Sequence, residues 1–297
     1  LSNLSVNVDA LWNRNVNHED FLAICLGQGP IRIPNEVKIP KQRFSVENDP
    51  LVSLPGKLSE KHAFMEQMPK TLQLKKYKII GAVGSPSFLY NMSNSVIVQT
   101  AGLHSYVDVK MAFLMKPGKW EEKWSWVKWL PHVFDSDKKI RYVANSEETW
   151  ETVQQELLKE IKYREEMEKE EKGAERQKKF RQHFLVFVSD RELFNNSILY
   201  QYMVSEKNFG FTFLLFYGQL SSLPNECRFI LEKTKKFQGA YQLNETIGKN
   251  NMIQFEEISH GRAERFARML NKYVLQEMGQ SALPEAIDYL SMIGIGR

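Results

Sequence analysis

Residues 78–84 read KIIGAVG, and they open the stretch, residues 78–115, that decides the fold. This first run is short, apolar and rich in β-branched residues, which predicts a buried strand. Pro86 favours the start of a helix, because the first helical residue needs no N–H, and apolar residues recur every four positions after it. A second apolar run, Val107 to Met115, follows the helical pattern. Together they predict a strand–helix–strand unit of a parallel sheet.

The turn after the first strand keeps two glycines, Gly81 and Gly84, but lacks the chemistry of a phosphate-binding P-loop. A P-loop reads G-x-x-x-x-G-K-[ST], so that glycine amides and a lysine surround the phosphates. Here Ser85, Pro86 and Ser87 follow Gly84 and no lysine is present. Pro86 also lacks an N–H that phosphate binding would use. Two interpretations stay open: an ordinary tight turn, or a P-loop geometry without its chemistry.

Further apolar runs extend this unit into a doubly wound α/β fold, a mainly parallel sheet with helices on both faces. The predicted core strands are Ile79–Val83, Val107–Leu114, Phe184–Val188 and Phe211–Phe216. Shorter strands are expected at Phe21–Leu26, Ile140–Val143 and Arg228–Leu231. Gly27 to Pro30 is expected to end the first of these, with a new extended piece from Ile31, and a short helix is expected at Ser59–Met68.

Asp190 directly follows one of the predicted core strands, Phe184–Val188 and Ser189. In P-loop proteins an acid at such a strand end holds the Mg²⁺ shell, and the next acid can orient the attacking water. Here Arg191 comes next and Glu192 one place later, which argues against hydrolysis. An equally open interpretation is that Asp190 is the N-cap of a helix that begins at Arg191.

Four tryptophans lie within ten residues, at positions 120, 124, 126 and 129. Tryptophan rings can stack on bases, cations or partner proteins. We favour a structural role, in which the rings hold a loop against the edge of the sheet, because no basic cluster flanks them. His132, which follows Pro131, is interpreted as a hydrogen-bonding loop residue rather than a catalyst.

Two helices are predicted in the second half of the chain. The first is capped by Asn145 or Ser146 and buries a stripe of apolar residues (Trp150, Val153, Leu157 and Ile161). It leads into a run of mixed charges, residues 162–181, expected to be a solvated helix or a mobile insertion. The second buries a stripe from Ala263 to Val274 and is expected to end at Gly279.

Composition excludes several classes of function. The 297 residues are 42% hydrophobic and carry a net charge of +4, which is typical of a globular protein and too weak to indicate a nucleic-acid partner. No run approaches the roughly 20 apolar residues of a membrane helix, and neither a signal peptide nor a zinc-ligand spacing is present. Cys25 and Cys227 are expected to be free thiols, although a bridge stays open. The start at Leu1 suggests a fragment or a processed product.

An ordered set of motifs resembles one protein family. Residues 11–14 (LWNR) and 18–29 (HEDFLAICLGQG) open the set, followed by 99–104 (QTAGLH), 126–132 (WVKWLPH) and 223–227 (LPNEC). Together with Leu283 to Ile293, they are similar to the segment after the membrane stalk in FtsK/SpoIIIE-like ATPases of type VII secretion, the EssC/EccC family. The resemblance covers nearly the whole chain, and the WLPH motif is its most specific part.

The resemblance implies a membrane-proximal domain with a degenerate, RecA/FtsK-type P-loop NTPase fold, which precedes the motor domains. Residues 1–75 are then a post-stalk linker with N-terminal strands, 76–280 the α/β domain with the charged insertion 162–181, and 281–297 a connector. The degenerate site would comprise Gly81, Gly84, Ser85, Ser87 and Asp190. We assign no catalytic residue and no metal ligand, and expect no tightly bound cofactor, although the parent protein would use ATP and Mg²⁺.

The expected function is to couple the membrane part of the secretion machine to its motors without hydrolysing ATP, and the alternative is a weak regulatory ATP site. Expected partners are other type VII secretion components, the adjacent ATPase domains of the same chain and, for the parent, secreted WXG100-type substrates. Nucleic acid is not expected, because the relation to DNA-pumping proteins is one of fold alone. The expected location is the cytoplasmic face of the cell membrane.

Overall fold

The computed structural model describes residues 11–33, 50–170 and 182–273. The strands in these ranges are β1 (Ala23–Arg32), β2 (Phe64–Gln73), β3 (Ile79–Gly84), β4 (Val109–Leu114), β5 (Val143–Ala144), β6 (His183–Val188), β7 (Phe211–Gly218), β8 (Phe229–Lys233), β9 (Gln238–Gln242) and β10 (Gln254–Phe255). The α-helices there are α1 (Pro50–Lys61), α2 (Pro86–Leu103), α3 (Lys119–Trp124), α4 (Glu147–Glu170), α5 (Arg191–Asn195), α6 (Ile198–Val204) and α7 (His260–Leu270).

A large sheet forms the centre of the described fold, with the strand order β5-β4-β6-β7-β3-β8-β9. All neighbouring pairs are parallel except β8 and β9, which are antiparallel. The four predicted core strands are confirmed as β3, β4, β6 and β7, which lie side by side in the middle of this sheet. The two strands of the first strand–helix–strand unit, β3 and β4, are parallel but not adjacent, because β6 and β7 lie between them.

Helices cover both faces of the large sheet, as predicted. Alternate residues of each strand point to opposite faces, so Phe113 and Phe187 pack with α2 and α7 while Leu114 and Val188 pack with α4 and α6. The predicted stripe of α4 is buried on the second face. Its N-cap is Ser146, whose Oγ accepts the Thr149 N–H at 3.3 Å. Burial of two apolar faces supplies the main stabilisation of such a fold.

Two of the four tryptophans have the structural role that the sequence predicts. Trp124 and Trp126 are fully buried against α2. The Trp124 indole N–H donates to Ser93 Oγ at 2.8 Å, and that of Trp126 donates to Asn94 Oδ1 at 3.3 Å. The segment thus lies on one face of the sheet and not at its edge, and the buried serine and asparagine of α2 receive partners.

The N-terminal region contradicts two predictions. Phe21–Leu26 is not a separate strand, since β1 runs without a break from Ala23 to Arg32. The glycines of β1 do not end the strand. They let a neighbouring backbone approach closely, because an added Cβ at Gly27 would lie 2.0 Å from Gln254 O of β10. The predicted helix Ser59–Met68 is also wrong, because α1 ends at Lys61 and β2 then pairs antiparallel with β1.

Smaller corrections concern short elements and chain ends. The strand expected at Ile140–Val143 is only Val143–Ala144, and that expected at Arg228–Leu231 begins and ends later, at Phe229–Lys233. The C-terminal helix buries its predicted stripe as far as Leu270. The helix ends at Leu270, with Asn271 as its C-cap, and not at Gly279 as expected. The connector and residues 171–181 of the charged run lie outside the described residues. Both cysteines are free thiols; Cys227 is buried and Cys25 partly exposed.

Candidate functional site

A crevice of about 600 Å³ opens where β3, β4, β6 and β7 end at their carboxyl edge. Ligands of open α/β sheets bind at this edge, where neighbouring connections leave in opposite directions. The turn before α2 forms one wall, with Gly84 and Pro86. The residues after β4 and β6 form the opposite wall, and the end of β7 forms the floor. Of the five residues predicted for the degenerate site, Gly84 lines this crevice.

The turn that opens the crevice offers few N–H groups to a phosphate. Ser85 is the N-cap of α2, and its Oγ accepts the Phe88 N–H at 3.3 Å. Pro86, the next residue, has no N–H at all. Ser87 is exposed on the outer side of the first turn. The free N–H groups that make a helix start attractive to phosphate are therefore fewer here than in an uncapped helix.

The two glycines of the turn are explained by packing. A Cβ at Gly84, whose φ is +151°, would lie 2.6 Å from Lys233 O and 2.8 Å from Phe88 Cδ1. Gly81 lies within β3, where a Cβ would meet Leu223 Cδ1 at 2.4 Å. Gly84 is required by its backbone and Gly81 is favoured by side-chain packing whether or not a ligand is bound, so neither glycine is evidence for a phosphate site.

Lys233 lies beside this turn, but its ammonium group forms an ion pair with Glu257. Lys233 pairs with Gly84 across β8 and β3. Its Nζ lies 2.5 Å from Glu257 Oε1, and the other carboxylate oxygen accepts from Asn91 Nδ2 at 3.2 Å. With the Asn91 bond to the same carboxylate, this ion pair connects β8 to α2, and it neutralises the charge of Lys233.

Asp190 caps a helix, as one of the two interpretations of the sequence has it. Its Oδ1 accepts the Leu193 N–H at 3.1 Å, at the start of α5. Ser189, one residue earlier, accepts the Lys116 N–H at 3.0 Å and so joins the ends of β4 and β6. Among the described residues, no group of three His, Cys, Asp or Glu side chains is placed to hold a metal ion.

The positive charges of the crevice come from positions outside the predicted site. Lys116 follows β4 and Arg191 begins α5, and both line the crevice together with Glu192. Tyr217 also lines the crevice, and its buried hydroxyl has no hydrogen-bond partner among the described residues. Burial raises the pKa of Tyr217, and the nearby Arg191 guanidinium opposes that rise. Lys116 is not predictable from the turn, because it follows β4 and reaches the crevice only through the pairing of β4 with β6.

Comparisons with known proteins give relatives along nearly the whole chain, although no family model matches. The chain is 23% identical over 286 residues to the ESX secretion system protein EccC of Geobacillus thermodenitrificans, which covers 95% of this chain and 19% of that protein. It is 21% identical over 286 residues to the type VII secretion system protein EssC of Staphylococcus aureus, covering 96% and 19%. The chain thus spans about a fifth of the length of these curated relatives.

Solved structures give the same answer for the fold. The cytoplasmic domain of the Thermomonospora curvata type VII secretion ATPase EccC superposes with a TM-score of 0.55 at 13% identity, over 96% of this chain and 34% of that one. The resemblance to EssC and EccC that the motifs indicated is confirmed, and so is the P-loop NTPase-like α/β fold. Within the described ranges, no helix has the length and apolar character needed to cross a membrane.

Proposed function

We propose that this chain is the membrane-proximal domain of an EssC/EccC-type secretion ATPase, and that it couples the membrane part to the motor domains without hydrolysing ATP. The observation that carries the proposal is a P-loop-like strand, turn and helix whose turn has no lysine, whose cap uses Ser85 and Pro86, and whose following acid, Asp190, caps α5. Phosphoryl transfer in P-loop proteins uses a lysine in the turn and an acid that holds the Mg²⁺ shell; here the turn has no lysine and Asp190 Oδ1 accepts the Leu193 N–H.

The domain's role as a mechanical link is supported by the packing of its last described helix. α7 packs on α2, with Phe266 4% exposed in the same cluster as Met92. The Arg268 guanidinium lies 4.9 Å from the Trp129 ring centre. The helix that leads toward the C-terminal end of the chain is thereby joined to the tryptophan segment and to the helix after the P-loop-like turn. In this proposal the partners are other secretion components and neighbouring ATPase domains, at the cytoplasmic face of the membrane.

The alternative, a weak regulatory ATP site built from the turn and Asp190, has less support. One oxygen of the Asp190 carboxylate, Oδ1, accepts the Leu193 N–H, and Lys233 is paired with Glu257. A site that used the turn glycines would also have to compete with the Ser85 cap for the Phe88 N–H.

The proposal is tested in the full-length protein with variants of this domain. Asp190→Asn with Glu192→Gln removes both acids but keeps an N-cap, since asparagine caps about as well as aspartate. We expect ATP hydrolysis and substrate export to stay at the wild-type level. Gly84→Ala, which destabilises the domain, is expected to leave hydrolysis by the motors unchanged and to reduce export at least about tenfold at a temperature where this domain has unfolded. Loss of export when the two acids are removed, or full export where Gly84→Ala has unfolded the domain, would contradict coupling without catalysis.

A further inference from the structure

The outer side of α7 exposes cations and no exposed acid. The inner side of this helix is its buried apolar stripe: Ala263, Phe266, Ala267 and Leu270. Residues three apart in a helix share a face, so a row of three arginines runs along the outer side, and one lysine follows just beyond the helix. All four side chains are exposed: Arg262, Arg265, Arg268 and Lys272. These four residues form the basic face of α7.

Most of the charge of the basic face is available to a partner. In the described part of the chain, Arg262, Arg265 and Lys272 form no ion pair. The Arg265 Nε bonds within its own helix, to Gly261 O at 3.3 Å. Arg268 lies 2.8 Å from Glu264, which is the one acid of α7. The basic face therefore keeps a net positive charge.

The tryptophan segment adds a lysine and a partly exposed indole beside the basic face. The ring centre of Trp129 lies 4.9 Å from the Arg268 guanidinium and 5.6 Å from Lys128 Nζ. Lys128 itself is exposed. The pKa of Glu264 is lowered, first by its hydrogen bond to Arg268 and in smaller part by the charge of Lys128, which places Lys128 beside α7. The surface thus combines several cations with an amphipathic ring.

We propose that the basic face of α7, with Lys128 and Trp129 beside it, binds the anionic headgroup surface of a lipid bilayer. Clusters of about four to eight Lys or Arg residues on a helix bind anionic lipid, and each cation near the surface strengthens binding about fivefold. Tryptophan favours the headgroup level of a bilayer. The choice of a bilayer as the partner rests on the proposed function, in which the domain lies next to the membrane.

The contact is peripheral and electrostatic. The apolar stripe of α7 is packed in the same cluster as α2, with Phe266 buried, and so is not available to enter the bilayer. Binding should therefore depend on charge and weaken with salt. A single-stranded nucleic acid is the other polyanion to consider, but it needs aromatic rings free to stack on bases, and Trp129 already contacts two cations.

The test is co-sedimentation of the 297-residue protein with vesicles of phosphatidylcholine, with and without about 30% phosphatidylglycerol. We expect binding to the anionic vesicles at about 0.1 M NaCl, binding at least about tenfold weaker to the neutral ones, and loss of binding at about 0.5 M NaCl. Arg262→Gln, Arg265→Gln and Lys272→Gln combined should lower the partition coefficient about 100-fold, since each cation contributes about fivefold. Glutamine is a good helix former, so this triple variant should keep the wild-type Tm.

The matched control removes three lysines from the exposed side of α4: Lys159→Gln, Lys162→Gln and Lys169→Gln. It changes the net charge of the protein by the same amount, but Lys159 and Lys169 are each paired with a glutamate there. This control should bind the anionic vesicles within about twofold of the wild type. An equal loss in the control would show that net charge and not the basic face decides binding, and would overturn the proposal.

Three other results would also overturn it. They are equal binding to neutral and anionic vesicles, no binding to either at about 1 mM lipid, and full binding by the triple variant. Binding of a single-stranded DNA oligonucleotide that the triple variant loses, without binding to vesicles, would assign the basic face to nucleic acid instead. Each of these results leaves coupling without hydrolysis as it stands, because that proposal is tested at Gly84, Asp190 and Glu192, which lie outside the basic face.

Discussion

Gly84→Ala is expected to lower the free energy of unfolding by about 2–6 kcal/mol, because two penalties add at this residue. The backbone φ of +151° belongs to a region that residues with a Cβ rarely adopt, which costs about 1–3 kcal/mol. The new Cβ would also approach Lys233 O to 2.6 Å, and a backbone carbonyl in a paired strand moves only at a cost of about 1–3 kcal/mol. A loss of this size takes a large share of the roughly 5–15 kcal/mol that holds such a domain together.

The matched control is Gly118→Ala, at the start of α3. Gly118 also has a positive φ, +91°, but nothing lies within 4 Å of its added Cβ. Its substitution should therefore cost only the backbone part, about 1–2 kcal/mol. Denaturant unfolding of the two variants separates the backbone penalty from the packing penalty. Equal losses for both, or a loss below about 1 kcal/mol at Gly84, would mean that close packing does not explain the glycine of the turn.

Acid is expected to destabilise the domain steeply, well above the range in which carboxylates protonate. Burial lowers the pKa of His104 to about 4 and the pKa values of His132 and His183 to about 3. Both ring nitrogens of neutral His104 form hydrogen bonds: Nδ1 donates to Thr100 O, and Nε2 accepts the Leu22 N–H at 2.9 Å. The His132 ring donates from Nε2 to the backbone carbonyl of His104 at 2.8 Å, so both buried rings are held by backbone groups.

Stability falls with falling pH because the unfolded chain binds protons more strongly than the folded one. An unfolded histidine titrates near pH 6.5, whereas these folded ones stay neutral to about pH 4 or 3. Their stabilisation is therefore complete above pH 6.5 and is lost as the pH falls toward the folded pKa values. Between pH 7 and pH 5 each should remove about 2 kcal/mol, or about 6 kcal/mol together. Urea unfolding at half-unit pH intervals measures this slope.

His132→Gln provides the discriminating variant for the acid effect. Glutamine keeps an N–H donor for His104 O but cannot take up a proton, so the slope should fall by about one third. His62→Gln, at an exposed position, should leave the slope as it is in the wild type. A slope that His132→Gln does not change would show that the buried histidines are not its source.

Long apolar elements could be predicted from the sequence because burial decides them. The strands β3, β4, β6 and β7 are buried along almost their whole length, so their residues could have no other environment. The second strand, β2, could not be recognised, since its pattern of exposure along residues 64–73 is irregular and it exists through pairing with β1. The role of the β1 glycines, close approach to the backbone of Met252 and β10, depends on contacts 223 or more positions away, and the local pattern does not show it.

The candidate site was predictable in place but not in composition. A strand, a glycine turn and a helix point to the carboxyl edge of the sheet, and the crevice lies there. The turn lacks an available cation, and the sequence shows that directly. What it could not show is that residue 116 comes to the same crevice as residue 191, because this depends on β4 and β6 being neighbours in the sheet. Strand order depends on tertiary packing, and the local pattern of apolar residues does not determine it.

The most direct test of the central claim is steady-state turnover of Mg-ATP by the purified 297-residue protein, with Asp190→Asn as the comparison. We expect phosphate release indistinguishable from a protein-free blank for both proteins, even at millimolar ATP and whether or not ATP binds. Saturable turnover by the wild type that disappears in Asp190→Asn would contradict the account, because it would show that this turn and this acid still form a working hydrolytic site.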